Sequence, residues 1–367
     1  GAVVLRGEVD SRRFMNIAVC SRRDPRLLST YGTMFVVDGM NEPDRPRAES
    51  SDRAARSSVS RRDDGPSLSQ AARPSDTAVI ISTRGRPEIV SALVERLAAQ
   101  SRAPAHIFVI GASDVDIAGL NRGRPHLTVT VGREGSSSQR NDGLALAGAR
   151  FAYVVFFDDD FVPSRFWIER MEAVFQASSD VVGLTGDVLA DGTRTAGIGF
   201  EDACALVEAR DAQLQPASGS YEWPGYGGNM GCNMAFRATA LENVTFDERL
   251  PLYAWLEDAD FRGQVERHGR VVRTDGLWGV HLGHKQGRGR GVTVGYSQIA
   301  NAIYLARKGT VPKSHLMRLA TRNVIANLVR SIRPEPYVDR RGRLRGNMLA
   351  LADVARGRIT PERILTL

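Results

Sequence analysis

The apolar run Ala152-Tyr153-Val154-Val155-Phe156-Phe157 leads directly into three carboxylates, Asp158-Asp159-Asp160. An apolar run of this length bounded by charge predicts a strand buried on both faces. Such strands sit in sheets covered by helices, which is an α/β architecture. The acids then stand at the carboxyl end of the strand, where open α/β sheets place their ligand crevices. Carboxylates crowded together repel, and they stay ionised most readily when a cation joins them. Asp158 and Asp160 are two apart, so in an extended chain they point to the same side. One is placed to hold a divalent metal and the other to touch the molecule that the metal binds. A second acidic cluster, Glu257-Asp258-Ala259-Asp260, follows much later. A metal with a distant carboxylate suggests a diphosphate leaving group and a separate general base.

The pattern around this run is a βαβ alternation. Strands are expected at 77–82, 106–110, 127–131, 152–157 and 181–189, with helices at 87–100, 138–149 and 166–176. Ile89, Leu93 and Leu97 recur at helical spacing, and Pro87 suits a first helical turn. The segment 201–210 fits a strand or a short helix. A glycine-dense loop is expected at 225–231, a helix at 258–268 stopped by Gly269, short strands at 271–274 and 278–282, and helices at 294–306 and 314–332. This rhythm predicts a largely parallel sheet flanked by helices.

Residues 41–75 are rich in Arg, Ser, Asp and Pro and almost empty of large apolar residues, which predicts disorder. The expected organisation is a poorly ordered extension over 1–75, a catalytic domain over 76–284 and a basic, mainly helical extension over 285–367. Seventeen Lys and Arg stand against four Asp and Glu from Lys285 onward, so the net charge of +7 is a C-terminal property. No stretch approaches the roughly 18 apolar residues of a membrane span, and the first twenty residues show no apolar signal core. Cys20, Cys204 and Cys232 form neither a disulfide framework nor a zinc spacing, which fits a reducing, cytoplasmic setting. Leu316, Leu319, Val324, Ile325, Leu328 and Ile332 alternate with Arg318, Arg322 and Arg330. That is an amphipathic basic helix, suited to packing on the main domain or to lying on the inner face of a membrane.

Four segments in order resemble family 2 glycosyltransferases of the GT-A fold. They are Ser82-Thr83-Arg84-Gly85-Arg86-Pro87 after the first strand, Gln139-Arg140-Asn141-Asp142-Gly143, Phe157-Asp158-Asp159-Asp160, and Glu257-Asp258-Ala259-Asp260-Phe261-Arg262 with Gly269 beyond it. The resemblance covers roughly 77–284. Segments 344–346 and 357–361 are similar to the tails of exopolysaccharide-type members.

The resemblance implies a GT-A mixed, mostly parallel sheet flanked by helices, with a C-terminal helical extension. It implies an inverting, metal-dependent transfer from a nucleotide-sugar donor to a saccharide or lipid-linked acceptor, in bacterial polysaccharide biosynthesis. Thr83, Arg84, Asp114, Arg140, Asn141, Asp158 and Asp159 would surround the donor. Asp160 would ligate Mg²⁺ or Mn²⁺. His281 or His284, with His281 preferred, would complete the metal shell. Asp258 would be the base, with Glu257 tuning it or holding the acceptor. Trp223, Tyr226, Asn229, Gly231, Asn233 and Trp255 would face sugar rings. The Gly-Arg segment 286–291 would close over the diphosphate.

The chain departs from the family at the end of the second strand. Phe108-Val109-Ile110-Gly111 carries glycine where an acid usually reads the base, leaving Asp114 or Asp116 to substitute. The Gln-x-x-Arg-Trp signature of processive synthases is absent, which favours one sugar per encounter. A sugar-nucleotide nucleotidyltransferase would need a glycine-rich phosphate loop, and 82–87 has one glycine. A non-catalytic saccharide- or nucleotide-binding module would not need Asp158, Asp160 and Asp258 intact. No aromatic-interleaved basic motif indicates nucleic acid.

Overall fold

The computed structural model describes residues 75–213, 220–222, 231–285 and 289–367. All of them fall in a compact unit spanning Ser67–Leu367. The extension expected over 1–75 lies outside the described residues except for Ser75, as do Trp223, Tyr226, Asn229 and positions 286–288 of the proposed lid.

Among the described residues nine strands form one mixed sheet: β1 (Thr77–Thr83), β2 (His106–Gly111), β3 (Leu127–Val131), β4 (Tyr153–Asp158), β5 (Phe161–Pro163), β6 (Val181–Asp191), β7 (Ser220–Glu222), β8 (Asn233–Arg237) and β9 (Arg270–His281). Their order is β3-β2-β1-β4-β8-β6-β9-β5, with β7 also on β9. β1, β2, β3, β4, β6 and β9 run in one direction and β5, β7 and β8 oppose them, so the sheet is mixed and mostly parallel, as expected.

Helices α1 (Pro87–Ala98), α2 (Ser136–Ala147), α3 (Trp167–Ala177), α4 (Phe200–Ala212) and α5 (Glu257–Val265) accompany the sheet. The continuous apolar runs of β1 and β4 are buried on both sides. Val79, Ile81, Val155 and Phe157 pack with α1 and α3 through Val90, Leu93, Leu97, Trp167 and Met171. Ala78, Ile80, Val154 and Phe156 face the other way, into Phe236, Phe246 and Phe261. Each large apolar side chain so buried contributes about 1.5–3 kcal/mol before chain entropy is counted. This double anchoring holds the end of β4, and so Asp158, in a fixed place.

Of the two readings open for 201–210 the helix holds, with Ala203 and Val207 inward. Other elements differ from the sequence expectation. Asn233–Arg237 is a buried strand between β4 and β8's other neighbour, β6; its short apolar centre was masked by the glycines upstream. The two short strands expected at 271–274 and 278–282 are one strand. Asp275, Gly276 and Leu277 bulge between Thr274, opposite Gly186, and Trp278, opposite Asp187.

Three further helices follow: α6 (Gly291–Lys308), α7 (Lys313–Arg330) and α8 (Arg340–Ala355). The last was not anticipated, because its inward positions are small or polar, namely Gly346, Asn347, Ala350 and Asp353. α6 and α8 meet at paired glycines. A Cβ on Gly295 would lie 2.0 Å from the Arg343 carbonyl oxygen, and one on Gly346 would lie 2.1 Å from that of Val292. Buried amides join all three helices: Asn327 donates to Gln298 and Asn347 at 2.8 Å each, and Asn347 donates to the Gly295 carbonyl at 2.7 Å. Asp260 ties α5 to this bundle by accepting from Thr310 Oγ1 at 2.5 Å and Lys308 Nζ at 2.7 Å.

A Gly346→Ala substitution must push α8 off α6 and is expected to lower unfolding stability by about 1–3 kcal/mol. Urea denaturation checks this. An unchanged midpoint would show that the close helix crossing is not there.

Candidate active site

Strand register assembles the site. β4 ends at Asp158, and the turn that follows carries Asp159 and Asp160. β9 ends at His281, whose neighbour Leu282 donates its backbone N–H to the Asp160 carbonyl at 2.8 Å. Asp158, Asp160 and His281 therefore converge, with one ligand atom from each within 4.8 Å of the others.

Each of the two carboxylates has its oxygens divided between an arginine and the imidazole. Asp158 Oδ1 accepts from Arg140 Nη2 at 2.8 Å, while its Oδ2 lies 3.9 Å from His281 Nε2. Asp160 Oδ2 takes Arg86 Nη1 at 2.8 Å and the His284 backbone N–H at 2.9 Å, while its Oδ1 lies 3.3 Å from His281 Nε2. Two carboxylate oxygens and one ring nitrogen are thus left facing one another. Burial would raise the Asp160 pKa, but the hydrogen bond and charge of His281, with Arg86, hold it below the usual carboxylate range. Burial would lower His281, but its contacts to Asp160 and Asp191 overrule that and raise it to about 10.

Asp159, in the turn, shares Arg86 with Asp160. It is buried, with Oδ2 accepting from Thr83 Oγ1 at 2.6 Å and Oδ1 paired with Arg86 Nη2 at 2.7 Å. Burial drives its pKa up to about 7 against the pull of Arg86. Asp159 and the Thr83 hydroxyl brace Arg86, and all three residues line the cleft that holds Asp158. Arg140 lines it too. Both its terminal nitrogens are engaged, one by Asp158 and the other by Glu257 Oε1 at 2.6 Å, and its guanidinium rests on the Phe246 ring.

Asp258 stands at the start of α5. Its Oδ2 accepts from the Gly231 N–H at 3.1 Å and its Oδ1 from the Ala259 N–H at 2.8 Å. Burial raises its pKa, and the same cause takes Glu257 up to about 8 against the pull of Arg140. The segment that delivers these acids is unusual. Leu252, Ala254 and Leu256 all have left-handed backbone, with φ of 59°, 48° and 75°. Such residues cost roughly 1–2 kcal/mol each and persist only where neighbours hold them. The holding contacts are Ser136 N–H to Leu252 O at 2.9 Å and Asn301 Nδ2 to Trp255 O at 2.8 Å.

A cleft of about 1070 Å³ is lined by Asp158, Glu257, Asp258, Trp255, Arg84 and His281, with its far wall built by α7 and the segment leading into α8. Arg84 sits at the rim, paired with Glu134.

Other expected site residues lie elsewhere. Asn141 binds the Phe246 backbone and Glu248 on a separate concavity, because helix α2 turns it away from Arg140. Asn233 is fully buried inside the sheet, with Oδ1 accepting from the Gly186 N–H at 2.6 Å, so it does not face a sugar. Asp114 is exposed and paired with Arg122. Asp116 is the acid that returns to the end of β2. It is buried and accepts from the Gly85 N–H at 2.5 Å and Ser113 Oγ at 2.8 Å. Gly111 is needed there, since its Cβ would lie 2.7 Å from Ile117 Cγ2.

Two residues were missed. Arg86 was visible only as part of a turn. Asp191, 3.2 Å from His281 Nδ1, carried no sequence signal beyond ending a strand.

No curated protein sequence matches the chain significantly. Among solved structures, S. aureus TarS 1-349 in complex with UDP-GlcNAc is similar at 14% identity over 79% of this chain and 83% of that one, with a TM-score of 0.48. The longer S. aureus TarS structure is covered over 42% of its length. The mannosyltransferase PcManGT from Pyrobaculum calidifontis, in complex with GDP-Man and Mn²⁺, is similar at 15% identity over 81% of each chain, with a TM-score of 0.42. Residues 78–245, from β1 past β8, match glycosyl transferase family 2. With the mixed sheet and the aspartates at the end of β4, that match makes residues 78–245 a glycosyl transferase family 2 domain.

Proposed function

We propose that this chain transfers a sugar from a nucleotide-sugar donor to an acceptor hydroxyl, with inversion and with the help of a divalent metal. One observation carries the reading. Asp158 and Asp160 each give one oxygen to an arginine and turn the other toward His281 Nε2, on a cleft that Asp258 also lines. Two hard oxygens with one imidazole nitrogen suit Mg²⁺ or Mn²⁺. When bound, the metal would neutralise charge on the departing nucleoside diphosphate.

The protein's own groups do the rest. Arg140 and Arg86 hold the two carboxylates in place. Asp258, fixed by the Gly231 and Ala259 N–H groups, accepts the proton of the acceptor hydroxyl. Its environment keeps it basic enough for that task, because burial raises its pKa. Arg140 balances Glu257 and Asp158 together, which leaves Asp258 the carboxylate of that group not paired to an arginine. A single base on the acceptor side, without a covalent nucleophile, accounts for inversion. The nucleotidyltransferase alternative is disfavoured because the Gly85 N–H is spent on Asp116 rather than offered to a phosphate.

Asp160→Ala is expected to abolish metal-dependent release of nucleoside diphosphate from UDP-, GDP- or dTDP-sugars. Asp258→Asn is expected to retain nucleotide binding and lose about 10²–10⁴-fold in transfer. In the wild type, transfer should fall as pH drops through the raised Asp258 pKa, so the acid limb lies above the ordinary carboxylate value of 3.8. Full transfer by Asp258→Asn would remove Asp258 as the base.

The acceptor is read as a lipid-linked bacterial saccharide, met at the inner face of the membrane. No helix among the described residues is long and apolar enough to cross a membrane. One stripe of α7 and its end, however, exposes Ile325, Leu328, Val329 and Ile332, while Arg318, Arg322 and Arg333 flank it with no acid between Lys313 and Arg333, and Arg330 pairs with Glu335. Apolar insertion beside arginines is the chemistry of an anionic bilayer surface. The protein should co-sediment with phosphatidylglycerol vesicles and not with neutral phosphatidylcholine, and Val329→Asp should weaken that binding. Equal partition into both vesicle types, or into neither, would contradict the membrane reading.

A further inference from the structure

The metal reading leaves open what aims His281. An imidazole coordinates through a lone pair on one nitrogen, and the other nitrogen then carries a proton that needs an acceptor. The first of these nitrogens is Nε2, which faces Asp158 and Asp160. The second is Nδ1, which lies 3.2 Å from Asp191 Oδ1.

Asp191 is built into that position. It is the register partner of His281 across the parallel pair β6 and β9, so the two side chains leave the sheet together. Its carboxylate is fixed by the turn that follows, with Thr193 N–H donating to Oδ1 at 3.0 Å and Thr193 Oγ1 donating to Oδ2 at 2.7 Å. Lys285 Nζ clamps the same turn through the Gly192 and Thr193 carbonyls at 2.9 and 3.0 Å. The two strand ends approach so closely that only glycine fits. A Cβ on Gly192 would lie 1.9 Å from the Leu282 carbonyl oxygen, and one on Gly283 would lie 2.1 Å from the Gly192 carbonyl carbon. The Asp191–His281 contact is short but not aligned as a full hydrogen bond. Contacts of this kind in ligand-free sites commonly tighten on binding.

We infer that Asp191 is the positioning residue of the metal site: it accepts the Nδ1 proton of His281 and thereby fixes the tautomer that turns the Nε2 lone pair toward Asp158 and Asp160. The inference rests on the metal reading of the site. It also separates the two histidines that the sequence offers. Asp191 stands behind the ring of His281, whereas His284 meets Asp160 through its backbone N–H.

The test is Mn²⁺ affinity, measured by electron paramagnetic resonance on the full chain without nucleotide, for the wild type, Asp191→Ala and Asp191→Asn. Loss of an outer carboxylate behind a ligating histidine weakens metal binding by about 10–100-fold, which is the result expected for Asp191→Ala. Asp191→Asn keeps the shape and an acceptor oxygen, so it should fold and lose less, but measurably. In the Mg²⁺-loaded wild type the Nδ1–H of His281 should be hydrogen-bonded to Asp191, and its ¹⁵N–¹H resonance should shift in both variants. A purely structural role for Asp191 would not move that resonance. Wild-type protein that binds no Mn²⁺ would overturn the metal reading, and this inference with it. Wild-type protein that binds, with affinity and the Nδ1–H resonance unchanged in both variants, would overturn the inference alone.

Discussion

Like-charge repulsion among carboxylates is the constraint on which this site depends. Asp158, Asp159 and Asp160 sit together at the end of a strand whose residues are otherwise apolar. Two unit charges about 4 Å apart in a protein-like dielectric of about 20 repel by about 4 kcal/mol. The chain answers with two cations placed by different elements, Arg140 buried and Arg86 partly so. Arg86 comes from the turn before α1 and holds Asp159 and Asp160, and Arg140 comes from α2 and holds Asp158 and Glu257. Neither cation neutralises the group completely. The oxygens left over face His281, and that remainder gives the site its appetite for a divalent cation.

The fold serves this arrangement by fixing where strands end. β4 is anchored on both faces, and β6 and β9 are locked together by glycine contacts beyond their last paired residues. The second half of the site is held from the other side. α5 carries Asp258 into the cleft and spends its third acid, Asp260, on the C-terminal helices. Those helices in turn hold the left-handed segment before α5 through Asn301. The helical C-terminal part is therefore hydrogen-bonded to the segment and the helix that carry Asp258, and it also walls the cleft.

Much of this was legible in the residues. The run into Asp158 gave a buried strand and a site at its end, because continuous burial and a sudden charge leave few other readings. Pairing by two put Asp158 and Asp160 on one side, where both face His281, but the burial of Asp159 against Thr83 and Arg86 was not legible. Side-chain destinations that depend on neighbours far along the chain were not legible. Asn141 and Asn233 look like ligand-binding amides, yet each satisfies backbone groups of another segment. Asp116 rather than Asp114 returns to β2, because only the tight turn after Gly111 decides which acid faces inward. Helix α8 hides from periodicity because its buried face is glycine, alanine and hydrogen-bonded polar groups. Asp191 is invisible without the β6–β9 register.

Whether Asp158, Asp160 and His281 form one cation site can be read from crystals grown with Mn²⁺ and a nucleoside diphosphate, measured at a wavelength where manganese scatters anomalously. One strong anomalous peak bounded by Asp158 Oδ2, Asp160 Oδ1 and His281 Nε2 is expected. A nucleotide bound in the cleft with no peak there, or with the manganese held by other residues, would contradict it.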